Sequence, residues 1–120
     1  MRVLFICVGN TCRSQMAEGW AKSHGLDAQS AGTHPGTSIA KNAISVMAEK
    51  GIDISNQVPT KIDDVDIASF DLIFSMGCGV SCPNVQLNGD WELDDPYGGV
   101  IGKYREIRDE IEKNICQLIE

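Results

Sequence analysis

Positive charge is the first thing this chain lacks. Ten Lys and Arg face seventeen Asp and Glu, giving a net charge of −7 and a pI near 4.7. Nucleic-acid binding needs a basic face to meet phosphate, so that class of function is excluded. Long apolar runs are also missing, and none spans a bilayer. Val3 to Val8 is too short for a signal-peptide core and has no cleavage-like sequence after it, so a cytoplasmic location is expected. Only two histidines are present, His24 and His34, without ligand spacing between them, and both read as surface residues. The cysteines Cys7, Cys12, Cys78, Cys82 and Cys116 number five, an odd count that disfavours a static disulfide framework and favours reactive or metal-binding thiols. Repeats, low-complexity stretches and linkers are absent. What remains is an ordinary globular composition, 42% hydrophobic and 22% charged, which predicts one domain over residues 1–120.

The most informative stretch is MRVLFICVGNTCRSQMAE, Met1 to Glu18. Arg2 to Val8 is an apolar, β-branched run of strand length, followed by the turn-forming Gly9-Asn10-Thr11. From Arg13 the spacing of Met16, Ala17, Trp20 and Ala21 is helical. A buried strand therefore feeds a tight loop that opens a helix. The loop, Val8, Gly9, Asn10, Thr11, Cys12, Arg13 and Ser14, turns backbone N–H groups toward a common centre at the positive end of a helix dipole. Such a ring binds a tetrahedral oxyanion. Cys7 stands at its edge, where the dipole, the Arg13 guanidinium and the Ser14 hydroxyl favour thiolate over thiol. Arg13 presents a planar fork that grips two oxygens at once. An activated nucleophile and an anion cradle thus share one loop.

Further along, Gly25 is placed to end the first helix, and Asp27 to Ala31 reads as a second strand. A second helix is expected from a Thr37 or Ser38 cap, with Ala40, Ala43, Ile44 and Met47 at helical spacing and Gly51 closing it. Ile62 to Phe70 reads as a short acidic helix, whose Asp63-Asp64-Val65-Asp66 run is a solvated face rather than a metal site. Asp71 to Met76 is a third strand, Gly77 to Asp90 a loop carrying Cys78 and Cys82, and Trp91 to Leu93 a brief fourth strand. A last helix over Ile101 to Leu118 carries Tyr104, Ile107, Ile111, Ile115 and Leu118 on one stripe, with Cys116 read as a small core residue beside it. The alternation predicts an α/β fold, a four-stranded parallel sheet with helices on both faces and the reactive residues beyond the carboxyl ends of the strands.

The run Cys7-Val8-Gly9-Asn10-Thr11-Cys12-Arg13-Ser14 resembles the C-x5-R-S loop of the low-molecular-weight protein tyrosine phosphatase fold, which is flavodoxin-like. Its continuation Gln15-Met16-Ala17-Glu18-Gly19 is similar to the arsenate reductases built on that fold. Displacement at a tetrahedral oxyanion needs a proton for the departing oxygen. Asp95, stiffened by Pro96, is the candidate, and it matches the Asp-Pro pair that carries the general acid in the family.

Two further cysteines separate the possible activities. Hydrolysis of a covalent intermediate needs only water, whereas reduction of arsenate needs two electrons. Met76-Gly77-Cys78-Gly79-Val80-Ser81-Cys82-Pro83 resembles the cysteine-bearing segment of the reductases. The resemblance implies attack on arsenate by Cys7, resolution by Cys78 and transfer of the disulfide to Cys82, for reduction by thioredoxin. The three-residue interval between Cys78 and Cys82 is shorter than in that branch and looks more like a thiol-dependent branch. There glutaredoxin with glutathione, or mycothiol, serves as reductant, and Cys78 and Cys82 are accessory. Cys12 is a further possible partner for Cys7. No tightly bound cofactor and a monomer are expected. Asn10, Glu18 and Ser30 match part of a potassium site found in some reductases, but Gln57-Val58-Pro59-Thr60 lacks the acid, so no ion is expected. The competing readings are a phosphotyrosine or phosphoarginine phosphatase, suggested by Asp95-Pro96-Tyr97, and a structural zinc site on Cys7, Cys12, Cys78 and Cys82, which leaves Arg13 unexplained.

Overall fold

The fold was analysed in a computed structural model that describes residues 1–77 and 87–119. Its centre is β1, Arg2–Cys7, because Val3, Leu4, Phe5 and Ile6 are fully buried. Alternation sends Val3, Phe5 and Cys7 to one face of the sheet and Leu4 and Ile6 to the other. A strand buried on both faces pairs naturally on both edges. β2, Asp27–Gly32, lies parallel on one side and β3, Leu72–Ser75, parallel on the other. β4, Gly89–Asp90, extends the sheet beyond β3, so the order is β2-β1-β3-β4, all parallel.

Helical structure covers both faces, unequally. On one face α1, Arg13–Ser23, α2, Lys41–Ala48, and α3, Ile101–Leu118, enclose the main core with Val3 and Phe5. The other face, over Leu4, Ile6, Ala31 and Ile73, is covered by Ile62, Val65, Ile67 and Phe70. These four sit on and beside two 3₁₀ turns, Ile62–Asp64 and Ile67–Ser69, instead of the single short helix expected there. Val65 between the turns is extended, and the spacing of the four apolar residues fits no α-helical stripe. The acidic run beside them is solvent-facing, as expected.

Two other boundaries moved. Ala40, not Thr37 or Ser38, caps α2, and no side chain makes a capping hydrogen bond. The Ala40 N–H instead donates to the Thr11 carbonyl at 3.0 Å, which ties residues before α2 to the anion loop. The fourth strand falls at Gly89–Asp90, two residues before Trp91–Leu93, because Glu92 adopts a left-handed φ of 50° that ends the strand. The Trp91 ring packs on Phe5 and Phe74, with centroids 5.4 and 5.2 Å away. Cys116 is half-buried rather than a core residue, whereas Tyr104, Ile107, Ile111 and Ile115 are buried and Leu118 packs against them. Gly25 and Gly51 end α1 and α2 in left-handed conformations, φ 84° and 76°, as their positions predicted. No described helix is long and apolar enough to cross a membrane.

Candidate active site

The carboxyl end of β1 delivers Cys7 to the amino end of α1 across five intervening residues. Cys7 is 3% exposed, and its Sγ accepts the Asn10 N–H at 3.0 Å. Ser14 Oγ lies 2.8 Å from the same sulfur. Asn10 Nδ2 donates to Ser14 Oγ at 2.7 Å, which directs the hydroxyl proton of Ser14 toward Cys7. A backbone N–H and a side-chain hydroxyl thus converge on one sulfur.

Asn10 itself holds a left-handed φ of 52°, tolerated by Asn better than by most side chains. That conformation is fixed from outside the loop. Asn10 Oδ1 accepts the Thr60 N–H at 2.8 Å, and Gln15 Nε2 donates to the Asn10 carbonyl at 3.0 Å and to the Val58 carbonyl at 3.1 Å. Gln57 Nε2 completes the clasp on Gln15 Oε1 at 2.8 Å. Residues following β2 run beside the loop as well: the N–H groups of Thr33, His34 and Gly36 donate to the carbonyls of Cys7, Val8 and Gly9. The carbonyls of the loop are thus engaged by neighbouring segments.

Arg13, 4% exposed, is positioned by backbone carbonyls at the ends of the neighbouring elements. Its Nη1 donates to Leu93 O at 2.9 Å and Met76 O at 3.3 Å, and Nη2 stands 3.8 Å from Asp95 Oδ2. The Asp95 carboxylate is half exposed, and its Oδ1 accepts the Tyr97 N–H at 3.0 Å, an Asx turn that orients it. Cys7, Val8, Gly9, Asn10, Thr11, Cys12, Arg13 and Asp95 all line one cavity of about 460 Å³, with Thr37, Ser38 and Tyr97 at its rim. Ser14 lies below its floor, fully buried.

The two cysteines of this cavity differ. Burial pushes the Cys12 thiol up from its ordinary value, and the negative charges of Asp95 and Cys7 act in the same direction, against hydrogen bonds from Tyr104 and Thr11. Cys12 is thereby held as a neutral thiol. The expected resolving residues Cys78 and Cys82 lie outside the described residues. Among the described residues no group of three or more His, Cys, Asp or Glu side chains is arranged to hold a metal ion.

Four contributors had escaped the sequence reading: the Gln15–Gln57 clasp, the Met76 and Leu93 carbonyls on Arg13, the Thr37–Ser38 rim, and Tyr104 beside Cys12. Only Gln15 carried a signal, as the first residue of the reductase-like continuation Gln15-Met16-Ala17-Glu18-Gly19.

Comparison with known proteins agrees with this geometry. The family described as low molecular weight phosphotyrosine protein phosphatase matches residues 2–120. The glutaredoxin arsenate reductase of Synechocystis is 36% identical over 131 residues, covering 98% of this chain and 95% of that protein. The arsenate reductase of Staphylococcus aureus is 41% identical over 119 residues, covering 91% of this chain and 88% of that protein. A solved structure described as an arsenate reductase in the phosphate binding state superposes with a TM-score of 0.91 at 36% identity, covering 98% of this chain and 95% of its own. Such similarity over nearly the whole length shows the family: the chain belongs to the low molecular weight phosphotyrosine protein phosphatases.

Proposed function

We propose that this protein is an arsenate reductase that works through a covalent Cys7–arsenic adduct. The observation that carries the reading is the Cys7 sulfur, fixed by Asn10 and Ser14 at the floor of an oxyanion-sized loop, in a chain similar along its length to arsenate reductases. Arsenate enters with its oxygens on the loop N–H groups and the Arg13 guanidinium. The Cys7 thiolate attacks arsenic, forming a sulfur–arsenic(V) bond, and one oxygen leaves as water with a proton from Asp95. A second thiolate then attacks the Cys7 sulfur. The new sulfur–sulfur bond forms as the sulfur–arsenic bond breaks, its electron pair stays on arsenic, and arsenite departs as arsenic(III). Two thiols have supplied two electrons.

The second thiol is Cys78, followed by transfer to Cys82 and reduction by a thioredoxin-like protein, or it is an external thiol such as glutathione with glutaredoxin, or mycothiol. The relative named a glutaredoxin arsenate reductase supports the external route, and the presence of two cysteines after β3 supports the internal one. Catalytic roles are proposed for Cys7, Arg13, Asp95, Cys78 and Cys82, and anion binding for Val8 to Ser14.

A phosphatase is the alternative, favoured by Asp95-Pro96-Tyr97 and by the near identity in shape of phosphate and arsenate. One experiment separates them. Arsenite release is measured with thioredoxin, with glutaredoxin and glutathione, and with mycothiol, on wild type and on each single Cys→Ser variant. Reduction that requires Cys7 and one of these reductants supports the reductase. Efficient phosphopeptide hydrolysis without arsenate-dependent consumption of any reductant supports the phosphatase.

A further inference from the structure

The Asn10 carbonyl is held by a residue that does not line the cavity. Gln15 is fully buried in the first turn of α1. Its Nε2 has two hydrogens, and both are spent on carbonyls, Asn10 O at 3.0 Å and Val58 O at 3.1 Å. Its Oε1 accepts from Gln57 Nε2 at 2.8 Å, and the same Nε2 donates to the Gln15 carbonyl at 3.0 Å. The Gln15 amide therefore has one orientation. Turned over, it would set oxygen against two carbonyl oxygens and amide hydrogens against those of Gln57.

The segment that carries Gln57 has a firm base. Thr60 O accepts the Gly32 N–H at 2.8 Å, and Lys61 forms a parallel bridge with Gly32, the residue that pairs with Cys7 in the sheet. What the clasp fixes is a peptide plane. C=O and N–H point in opposite directions across a trans peptide, so a carbonyl held on Gln15 sets the direction of the Thr11 N–H. Thr11 lines the cavity, and Gln15 does not. The neighbouring bonds act elsewhere: Thr60 N–H holds the Asn10 side chain, and Ala40 N–H holds the Thr11 carbonyl one plane further on. Among the described residues no other hydrogen bond reaches the Asn10–Thr11 plane. The left-handed φ of 52° at Asn10 costs energy on a residue with a Cβ, so the turn needs a hold from outside.

We propose that Gln57 is a positioning residue for the anion site: through Gln15 it keeps the Asn10–Thr11 peptide turned so that the Thr11 N–H serves the bound oxyanion. The inference rests on the reading of the loop as an oxyanion site and does not depend on the fate of the anion. Inorganic phosphate is the probe, titrated calorimetrically on the full chain, with kcat/KM for arsenate alongside. Gln57→Met keeps the length and removes the donor; the phosphate Kd should rise about five- to tenfold, and kcat/KM should fall at least as much. Gln15→Met should behave alike, and the double variant should lie within about twofold of the weaker single, because the two amides act as one unit. Gln57→Glu supplies a signature that a merely structural role lacks. As a carboxylate it cannot donate, so the loss should be full at about pH 8; once protonated it donates again, so affinity relative to wild type should recover toward about pH 5.5. Asn56→Ala, on the exposed neighbour, should stay within about twofold of wild type. Wild-type phosphate affinity in Gln57→Met overturns the proposal, and so does a Gln57→Glu deficit that does not change with pH. If wild type itself binds no phosphate, the oxyanion reading of the loop fails first and the proposal falls with it.

Discussion

Gly32 ends β2 directly opposite Cys7 in the sheet, and it has no side chain to take part in the chemistry. A Cβ there would meet the Val8 carbonyl oxygen at 2.6 Å, Asn10 Cβ at 3.0 Å and Asn10 N at 3.2 Å. Two of these atoms are backbone and the third is fixed to it, so none can swing aside. Restoring even the shortest tolerated separation of 3.0 Å moves the Val8 carbonyl by about 0.4 Å, and ordinary contact at 3.4 Å needs about 0.8 Å. The atoms displaced belong to the segment whose Asn10 N–H bonds Cys7 Sγ at 3.0 Å. Misplacements approaching 1 Å cost up to about 10²-fold in rate, so Gly32→Ala should lower kcat/KM for arsenate by roughly 10- to 100-fold. Gly25→Ala provides the contrast: φ is 84° but nothing lies within 4 Å of the new methyl. That variant should lose about 1 kcal/mol of stability to the left-handed backbone and melt a few degrees lower, with its activity intact. Arsenite-release kinetics and thermal melts on both proteins decide the matter. Wild-type kcat/KM in Gly32→Ala, or an equal loss of activity in Gly25→Ala, would refute the claim that loop geometry governs the rate.

Arg13→Lys keeps the charge but cannot hold the Leu93 and Met76 carbonyls and fork an anion as well; kcat/KM should fall about 10²- to 10³-fold, and a loss under threefold in the same assay would contradict the fork. Cys82→Ser should release one equivalent of arsenite and then stall with thioredoxin as sole reductant; sustained turnover would exclude the internal shuttle. Glu49 tests the α2–α3 junction through pH. Hydrogen bonds from Arg105, then Arg108, hold its carboxyl at about 2, below the ordinary 4.5. A carboxyl lowered in the folded state stabilises the fold above its ordinary value, and that stabilisation is lost as pH falls from about 4.5 toward 2. Glu49→Gln should therefore flatten the acid unfolding curve across that window, measured by circular dichroism, and an unchanged slope would remove the junction from the account.

The sheet and the anion loop were legible because both are written in local pattern. Val3 to Ile6 is apolar without interruption, and the chain places a helix immediately after Gly9-Asn10-Thr11, so strand, loop and helix follow from short-range chemistry. α3 was legible end to end from its stripe. The misplaced elements are those set by distant contacts. The start of α2 is drawn away from Ser38 by a bond between Ala40 and Thr11, and the β4 boundary depends on Glu92 turning left-handed beneath Trp91. The same distinction runs through the site. Cys7 and Arg13 announce themselves by spacing, and Asp95 by its proline. Gln15, Gln57 and Tyr104 act on the loop across the fold, and their partners are not neighbours in sequence.

The account stands on sulfur chemistry at position seven, and that is open to direct inspection. Reduced protein is given one equivalent of arsenate together with an added thiol, glutathione or mycothiol, then quenched, alkylated and mapped by mass spectrometry while released arsenite is quantified. We expect Cys7 in a sulfur–sulfur link, to another cysteine of the chain or to the added thiol, in a one-to-one ratio with arsenite. Arsenite released with Cys7 still fully alkylatable, or a protein left wholly reduced after arsenate, would contradict it.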